Sequence, residues 1–167
     1  GYDASNHYVQ PKEKTLSVDN AAQLVEKWRF TIAGYPTGSP AIADGRVFIL
    51  ATGGMYAVDL QTGEQIWANM DIMGTASPAY ADNFVYVHDA AGQLYKLHAE
   101  DGSVAWGPIA TYPDMPRCDG TSSPILAGST VLVGHSCGLP EVTGGEDQTN
   151  ARGGVEAFST DSGERRW

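Results

Sequence analysis

Long apolar runs and clustered basic residues are both missing from this sequence. No run of about 18 apolar residues occurs, so no segment is predicted to span a membrane. No positively charged start leads into an apolar stretch, so a signal peptide either was removed or was never part of the sequence. Ten basic residues stand against twenty acidic ones, and the formal charge of −10 argues against nucleic acid as a partner.

Several common catalytic and metal patterns are also absent. The sequence shows no Ser-His-Asp spacing, no glycine loop suited to a phosphate and no Cys/His zinc pattern. Of the four histidines, His88 and His98 fall in predicted strands or turns and are interpreted as structural, and His7 is expected to be exposed. His135 borders a long insertion and is the only histidine retained as a candidate ligand contact.

Cysteine is scarce, with two residues in the chain. Cys118 follows Trp106, and Cys137 lies at the start of a long insertion before Trp167. A disulfide between them is the preferred interpretation, and closing a loop of this size would stabilise the fold by about 3 kcal/mol. Two buried free thiols in a cytosolic protein are the alternative.

Glycine and internal repetition are what the sequence has in quantity. Its 20 glycines and 42% hydrophobic residues are typical of an all-β globular protein. Three similar stretches each begin with Ser-Pro and end with a Gly four residues before a Trp, at Trp67, Trp106 and Trp167. A period near 40 residues with short alternating strands predicts the blades of a β-propeller.

The repeats divide the chain into a non-repeating start and three blades. Residues 1–34 form an N-terminal segment, and the three repeats cover about 35–73, 74–116 and 117–167. In the N-terminal segment, residues 16–28 are predicted to form a short helical turn leading into a strand, with Ser17 or Asp19 as the cap. Each repeat is expected to form four short strands, with tight turns at Asp-Gly and Thr-Gly pairs.

Three blades cannot close a ring, so the sequence is expected to be a piece of a larger protein with seven or eight blades. Three blades would leave two open sheet edges, and exposed edges favour pairing with other chains. As an isolated chain it is expected to aggregate, or to depend on the remaining blades or on further chains.

The third repeat is longer than the others. Trp106 and Trp167 are 61 residues apart, whereas Trp67 and Trp106 are 39 apart. Most of the excess lies between Val133 and Gly154, in a stretch rich in glycine and acidic residues. Long loops of this kind tend to be functional, although simple tolerance of insertions is an alternative.

The repeated motif resembles the tryptophan-docking motif of quinoprotein propellers, in which an indole stacks between neighbouring blades. The pairs Thr62-Gly63, Asp101-Gly102 and Ser162-Gly163 match it, whereas Lys96 stands where the motif has a small residue and is expected to weaken one contact. The N-terminal segment resembles that of alcohol dehydrogenases using pyrroloquinoline quinone (PQQ), most closely the polyvinyl-alcohol dehydrogenase-like branch.

This resemblance implies particular site residues. Thr121, three residues before Pro124, and Ser136, twelve residues after it, match positions that contact the quinone. Glu141, with Glu146 as a second choice, matches the ligand of a calcium or lanthanide ion, a role for which a carboxylate in a flexible loop is suited. A solvated acidic loop is the alternative for these glutamates.

Other positions of the family pattern are not matched. Thr37 stands where an acid is expected, and the second repeat has neither the vicinal cysteine pair nor the arginine of quinone-binding members. The catalytic aspartate of the family belongs to later blades. The chain itself is therefore expected to hold no catalytic residue.

The leading expectation is the N-terminal part of a periplasmic or secreted dehydrogenase that oxidises an alcohol through PQQ, with calcium or a lanthanide as the metal. The resemblance implies a cytochrome c as electron acceptor. No cofactor is expected for these 167 residues by themselves. The alternative is a quinone-free propeller that acts as a protein-binding or assembly scaffold.

Overall fold

The structure is a computed structural model that describes residues 12–113, 118–137 and 153–167, with the backbone alone at 118, 119, 136 and 137. Its strands form three antiparallel four-stranded sheets, which confirms the predicted all-β propeller blades. Blade one comprises β1 Ala41–Ala43, β2 Arg46–Ala51, β3 Gly54–Asp59 and β4 Gln65–Asn69. Blade two comprises β5 Ala79–Ala81, β6 Phe84–His88, β7 Gln93–His98 and β8 Val104–Ala110. Blade three comprises β9 Cys118–Asp119, β10 Ile125–Ala127, β11 Thr130–Cys137 and β12 Gly154–Ser159.

The first two blades are simple meanders in which each strand pairs with the next one along the chain. The first turn of each of these two blades has two residues with positive φ, as a type I′ hairpin loop requires. These are Asp44 and Gly45 in blade one, at 46° and 71°, and Asp82 and Asn83 in blade two, at 50° and 64°. Glycine, asparagine and aspartate tolerate this conformation, so the local sequence sets both turns.

Blade three departs from this pattern at both ends. The two-residue β9 pairs with the last residues of β11, where Ser136 lies opposite Asp119. The final Trp motif forms the bridge between Phe158 and Arg165, with hydrogen bonds from Arg166 N to Ala157 O at 2.7 Å and from Ala157 N to Trp167 O at 3.0 Å. The expected fourth strand is thus reduced to a short pairing along β12.

The hydrophobic core lies between neighbouring blades rather than inside one sheet. Between blades one and two it includes Phe48, Leu50, Val85 and Leu97, all buried. A second cluster between blades two and three consists of Tyr86, Leu94, Val131, Val133 and Phe158. Alternate residues of each strand therefore face opposite neighbours, and each blade needs another blade on both faces.

The repeated tryptophans dock as the motif predicts. Trp67 Nε1 donates to Ala99 O at 3.0 Å, and Trp106 Nε1 donates to Thr160 O at the same distance, so each indole bonds to the turn of the following blade. Gly102, with φ +74°, lies under the first indole, and a Cβ atom there would come within 2.6 Å of the ring. The prediction that the two tryptophans are equivalent is confirmed.

Lys96 lies beside the Trp106 contact, and its weakening of that contact stays a prediction. Its Nζ donates to Thr160 O at 2.8 Å, so it shares the acceptor of Trp106 without lengthening the bond of the indole. The ammonium also lies 3.9 Å from the centre of the Phe84 ring, within the range of a cation–π interaction. The motif has a small residue at this position, but the longer side chain of Lys96 reaches Thr160 O and its aliphatic stem is buried.

The N-terminal segment contributes a further docked tryptophan. Trp28 lacks a glycine four residues earlier, so the sequence does not mark it as a copy of the motif. Its Nε1 nevertheless donates to Leu60 O at 3.0 Å, and its ring lies against Gly63. The predicted helical turn is a 3₁₀ helix, Ala21–Gln23, whose N-cap is Asn20 rather than Ser17 or Asp19. The strand expected after it does not join a sheet within the described residues.

Within the part of the chain that the structure describes, no helix combines the length and apolar content that a membrane crossing requires.

Candidate functional site

Every blade begins with the same four-residue pattern, Thr-x-Ser-Pro. The threonines are Thr37, Thr75 and Thr121, each two residues before the serine that precedes the first strand of its blade. The first strands β1, β5 and β10 contact each other from blade to blade. The three patterns therefore meet at one end of the blades, along their inner strands.

The serines of this pattern connect the blades by hydrogen bonds. Ser39 N donates to Ser77 Oγ at 2.8 Å, and Ser77 N donates to Ser123 Oγ at 2.9 Å. Thr37 Oγ1 adds a bond to Thr75 O at 3.1 Å. Because each proline lacks an amide proton, the preceding serine supplies the backbone donor at this end, and each blade start is fixed by the next.

The structure brings two of the predicted quinone contacts to this same end of blade three. Thr121 is exposed, and within the described residues its hydroxyl has no hydrogen-bond partner. The backbone of Ser136 pairs with Asp119, two residues before Thr121. Glu141 and Glu146, the predicted metal ligands, lie outside the described residues.

The two cysteines are directly opposite each other across β9 and β11. Cys118 and Cys137 are partners in the antiparallel register, beside the Ser136–Asp119 pair. Opposed residues in such a ladder have Cα atoms about 4.5–5.5 Å apart, within the span of about 4.4–6.8 Å found in disulfides. The backbone is compatible with the predicted disulfide. The bond stays a prediction because the structure describes only the backbone of these two residues.

His88 is completely buried where blade two meets the start of blade three. Its Nδ1 lies 3.2 Å from Ser122 O, and its Nε2 lies 3.0 Å from Thr111 Oγ1. Burial lowers the pKa of His88 below its ordinary value, with a weaker opposing effect from the Ser122 carbonyl and the Asp89 carboxylate. The imidazole is therefore neutral at neutral pH.

His135 is a second buried polar side chain at the same junction. Both ring nitrogens of His135 are buried without a hydrogen-bond partner in the described structure. Burial, followed by the nearby His88, lowers the pKa of His135 to about 4. The candidate ligand contact is thus a neutral imidazole within the blade junction.

Glu156 is the buried acid of this junction. Its Oε1 lies 3.0 Å from Arg165 Nη2, and its Oε2 accepts a hydrogen bond from Tyr112 N at 3.2 Å. Burial raises the pKa of Glu156, while Arg165 and the Tyr112 amide oppose that increase. Both oxygens are engaged in fixing the crossover between blades two and three, which is a structural role.

Sequence reasoning missed the role of the blade starts and of His88. The Thr-x-Ser-Pro pattern is visible in the sequence, since a threonine stands three residues before the proline in all three repeats. The contact of His88 with Ser122 joins residues 34 positions apart and has no sequence signal.

The chemistry available at this end is that of hydroxyl groups. Thr37, Thr75 and Thr121 carry donors and acceptors but no charge, and the described residues hold no cluster of three or more His, Cys, Asp or Glu side chains suited to a metal. Threonine hydroxyls can hydrogen-bond carbonyl and carboxylate oxygens, so the residues present fit the hydrogen-bonding side of a quinone.

Comparison with known proteins gives two kinds of relative. The chain is 29% identical over 124 residues to the outer membrane protein assembly factor BamB of Xanthomonas campestris, covering 64% of this chain and 30% of that protein. It is 25% identical over 180 aligned residues to a polyvinylalcohol dehydrogenase of a Pseudomonas species, covering 100% of this chain and 28% of that protein. The chain thus spans less than a third of the length of these relatives.

Among solved structures, a quinohemoprotein alcohol dehydrogenase from Pseudomonas putida superimposes with a TM-score of 0.65 at 22% identity. The match covers 82% of this chain and 21% of that one, and it establishes the shared propeller fold. A family model described as outer membrane protein assembly factor BamB matches residues 12–167. The chain therefore belongs to this family of PQQ-type propeller proteins, PQQ_2.

Proposed function

We propose that the chain is the N-terminal part of a dehydrogenase of the cell envelope that oxidises an alcohol through PQQ. The observation that carries the proposal is the exposed Thr121 at the inner end of blade three, two residues after the pairing of Asp119 with the backbone of Ser136. Among the described residues the Thr121 hydroxyl has no hydrogen-bond partner. Thr121 and Ser136 are the two positions that match quinone contacts, and folding brings them to one end of the same blade.

The residues have distinct tasks in this proposal. Thr121 and Ser136 donate hydrogen bonds to oxygen atoms of the quinone and thereby orient it. Glu141, or else Glu146, supplies carboxylate oxygens to a hard cation such as calcium. The bound quinone supplies the redox chemistry, and the proton of the alcohol is taken by a base outside these 167 residues.

The relatives support an alcohol as substrate and an envelope location. The similarity to polyvinylalcohol dehydrogenase extends over the whole chain, including the long third repeat. The other relative is named for the assembly of outer membrane proteins, which supports a place in the periplasm or outside the cell. A cytochrome c as electron acceptor and the remaining blades as partners complete the proposal.

A scaffold is the second candidate, and one observation favours it. Thr37 stands where quinone-binding members have an acid, and its hydroxyl is already bonded to Thr75 O. A propeller whose inner rim serves only to join blades would suit a protein-binding role such as that named for the assembly factors. The two candidates differ in a simple property, the binding of quinone.

Dye reduction by the full-length protein tests the enzyme. We expect activity with alcohols, including polyvinyl alcohol, that requires both added PQQ and calcium. The Glu141→Gln variant keeps the shape of the side chain but removes its charge, so its activity and calcium affinity should fall at least about tenfold. Glu100→Gln, at an exposed turn of blade two, is the control and should match the unmodified protein.

Three results would count against parts of this proposal. Full activity in Glu141→Gln with a loss in Glu146→Gln would move the metal role to Glu146. Full activity in both variants would remove the metal role from this loop. A full-length protein that binds no PQQ by fluorescence titration would establish the scaffold instead.

A further inference from the structure

The segment that carries Thr121 is held from three different elements. Ser122 Oγ accepts a hydrogen bond from Gly134 N of β11 at 3.0 Å, and Ser123 Oγ accepts one from Ser77 N of blade two. The carbonyl of Ser122 lies 3.2 Å from Nδ1 of the buried His88. The residues next to Thr121 are therefore anchored, whereas its own hydroxyl has no hydrogen-bond partner in the described part of the chain.

The hydrogen bonds of His88 determine where its proton lies. A carbonyl oxygen can only accept, so the proton of the neutral ring must be on Nδ1 and point to Ser122 O. Nε2 then carries the lone pair and accepts from the Thr111 hydroxyl, 3.0 Å away. The Thr111 hydroxyl also lies 2.9 Å from Gly92 O and can donate its one proton to only one of the two acceptors. Gly92 O already accepts from the Thr111 amide at 2.9 Å, so donation of the hydroxyl to Nε2 leaves each group with a partner.

Packing alone does not require a histidine at this position. Counted from the Ser-Pro of each repeat, His88 corresponds to Leu50 in blade one and to Gly134 in blade three. Leu50 is just as buried within its own blade junction. A polar ring is present only in blade two, where the next blade start carries the exposed Thr121.

We propose that His88 is a positioning residue that holds the Thr121–Ser123 segment, and with it the Thr121 hydroxyl, in place for an oxygen acceptor of the bound quinone. This inference rests on the proposed function for the identity of the ligand. The anchoring itself does not depend on the ligand. A preorganised donor binds more tightly because its segment is not ordered at the moment of binding.

The test compares three variants of the full-length protein. His88→Leu places the residue of blade one in blade two and removes both hydrogen bonds without removing bulk. His88→Asn retains an amide donor near the position of Nδ1 and should restore the bond to Ser122 O. His98→Leu changes the other histidine of blade two, exposed at the opposite end of the blade, and is the control.

Two measurements separate the anchoring from the ligand. Hydrogen exchange followed by mass spectrometry should be faster in peptides containing Thr121–Ser123 and the Gly134 amide of His88→Leu, and normal in the other two variants. Titration with PQQ should show about a tenfold weaker Kd for His88→Leu, because the Thr121 side chain would then have to be ordered as PQQ binds. The melting temperature establishes that each variant is folded.

Each alternative outcome has a clear meaning. Unchanged exchange in His88→Leu would overturn the positioning role, and so would a His88→Asn variant that is as disturbed as His88→Leu, because packing would then be the cause. If the unmodified protein binds no PQQ, the proposed function fails, while the exchange data still decide whether His88 holds the segment.

Discussion

Gly63, Gly102 and Gly163 each have two independent reasons to be glycine. Their φ angles are +75°, +74° and +73°, a region that is costly for residues with a Cβ atom. A Cβ atom at any of them would also meet a tryptophan ring, as it would at Gly102 within 2.6 Å of Trp67. One residue therefore sets a tight turn within a blade and the contact between two blades.

Substitution of Gly102 should separate these two effects. Gly102→Ala is expected to reduce the free energy of unfolding by about 2–5 kcal/mol, of which about 1–2 kcal/mol is backbone strain and about 1–3 kcal/mol is overpacking against Trp67. Urea unfolding of the full-length protein, followed by the fluorescence of its tryptophans, measures this change.

Gly45→Ala is the matched control for that experiment. Gly45 has φ +71°, but no atom lies within 4 Å of the place where a Cβ would be. Its substitution should therefore cost only the backbone strain, about 1–2 kcal/mol. Equal losses at Gly45 and Gly102 would show that the indole contact adds nothing.

The short strand β9 matters because it ties the start of blade three to the end of β11. It pairs Cys118 with Cys137 and Asp119 with Ser136, immediately before the segment of Thr121. A covalent bond at this pairing would close the loop that contains the first part of blade three. It would also fix the end of β11, from which the long insertion departs.

We expect the two cysteines to be bonded in the mature protein. Intact-mass measurement after alkylation should detect no free thiol without reductant and two thiols with it. Reduction should lower the free energy of unfolding by about 3 kcal/mol. The Cys118→Ser/Cys137→Ser variant is the control and should be insensitive to reductant, and two alkylated thiols in the unreduced protein would disprove the bond.

The three blades together expose apolar surface on two sheet faces. Ile42 is 61% exposed on blade one, although its counterparts Tyr80 and Leu126 pack against the preceding blade. On blade three Trp167 is 66% exposed, whereas the equivalent Trp67 is 7% exposed under the next blade. The unpartnered surfaces are thus the faces of the outer blades rather than sheet edges.

Residues 1–167 expressed by themselves should therefore self-associate. Apolar faces shaped to receive another blade favour contacts between copies when no further blade is present. Light scattering over a range of concentrations should show a mass well above the 17.7 kDa of one chain, and Trp167→Glu should reduce it. A soluble monomer with a cooperative melt would contradict this expectation.

Much of the fold follows from the residues alone. The Gly-x-x-x-Trp spacing repeats because a positive-φ turn and a flat ring must meet in every blade, and Asp44-Gly45 sets its hairpin without help from distant residues. Periodicity of this kind is local and survives in a single sequence. It is sufficient to predict the all-β class, the three blades within this chain and the equivalence of Trp67 and Trp106.

Contacts between blades could be decided only by the tertiary structure. Trp28 docks in the same way as the repeated tryptophans, although it lacks the glycine of the motif. Lys96 stands where the motif has a small residue, and its longer side chain reaches Thr160. His88 contacts Ser122 at the start of the next blade. Each joins residues 32 to 64 positions apart. Such bonds depend on how two neighbouring sheets pack against each other, and local sequence preferences carry no information about that packing.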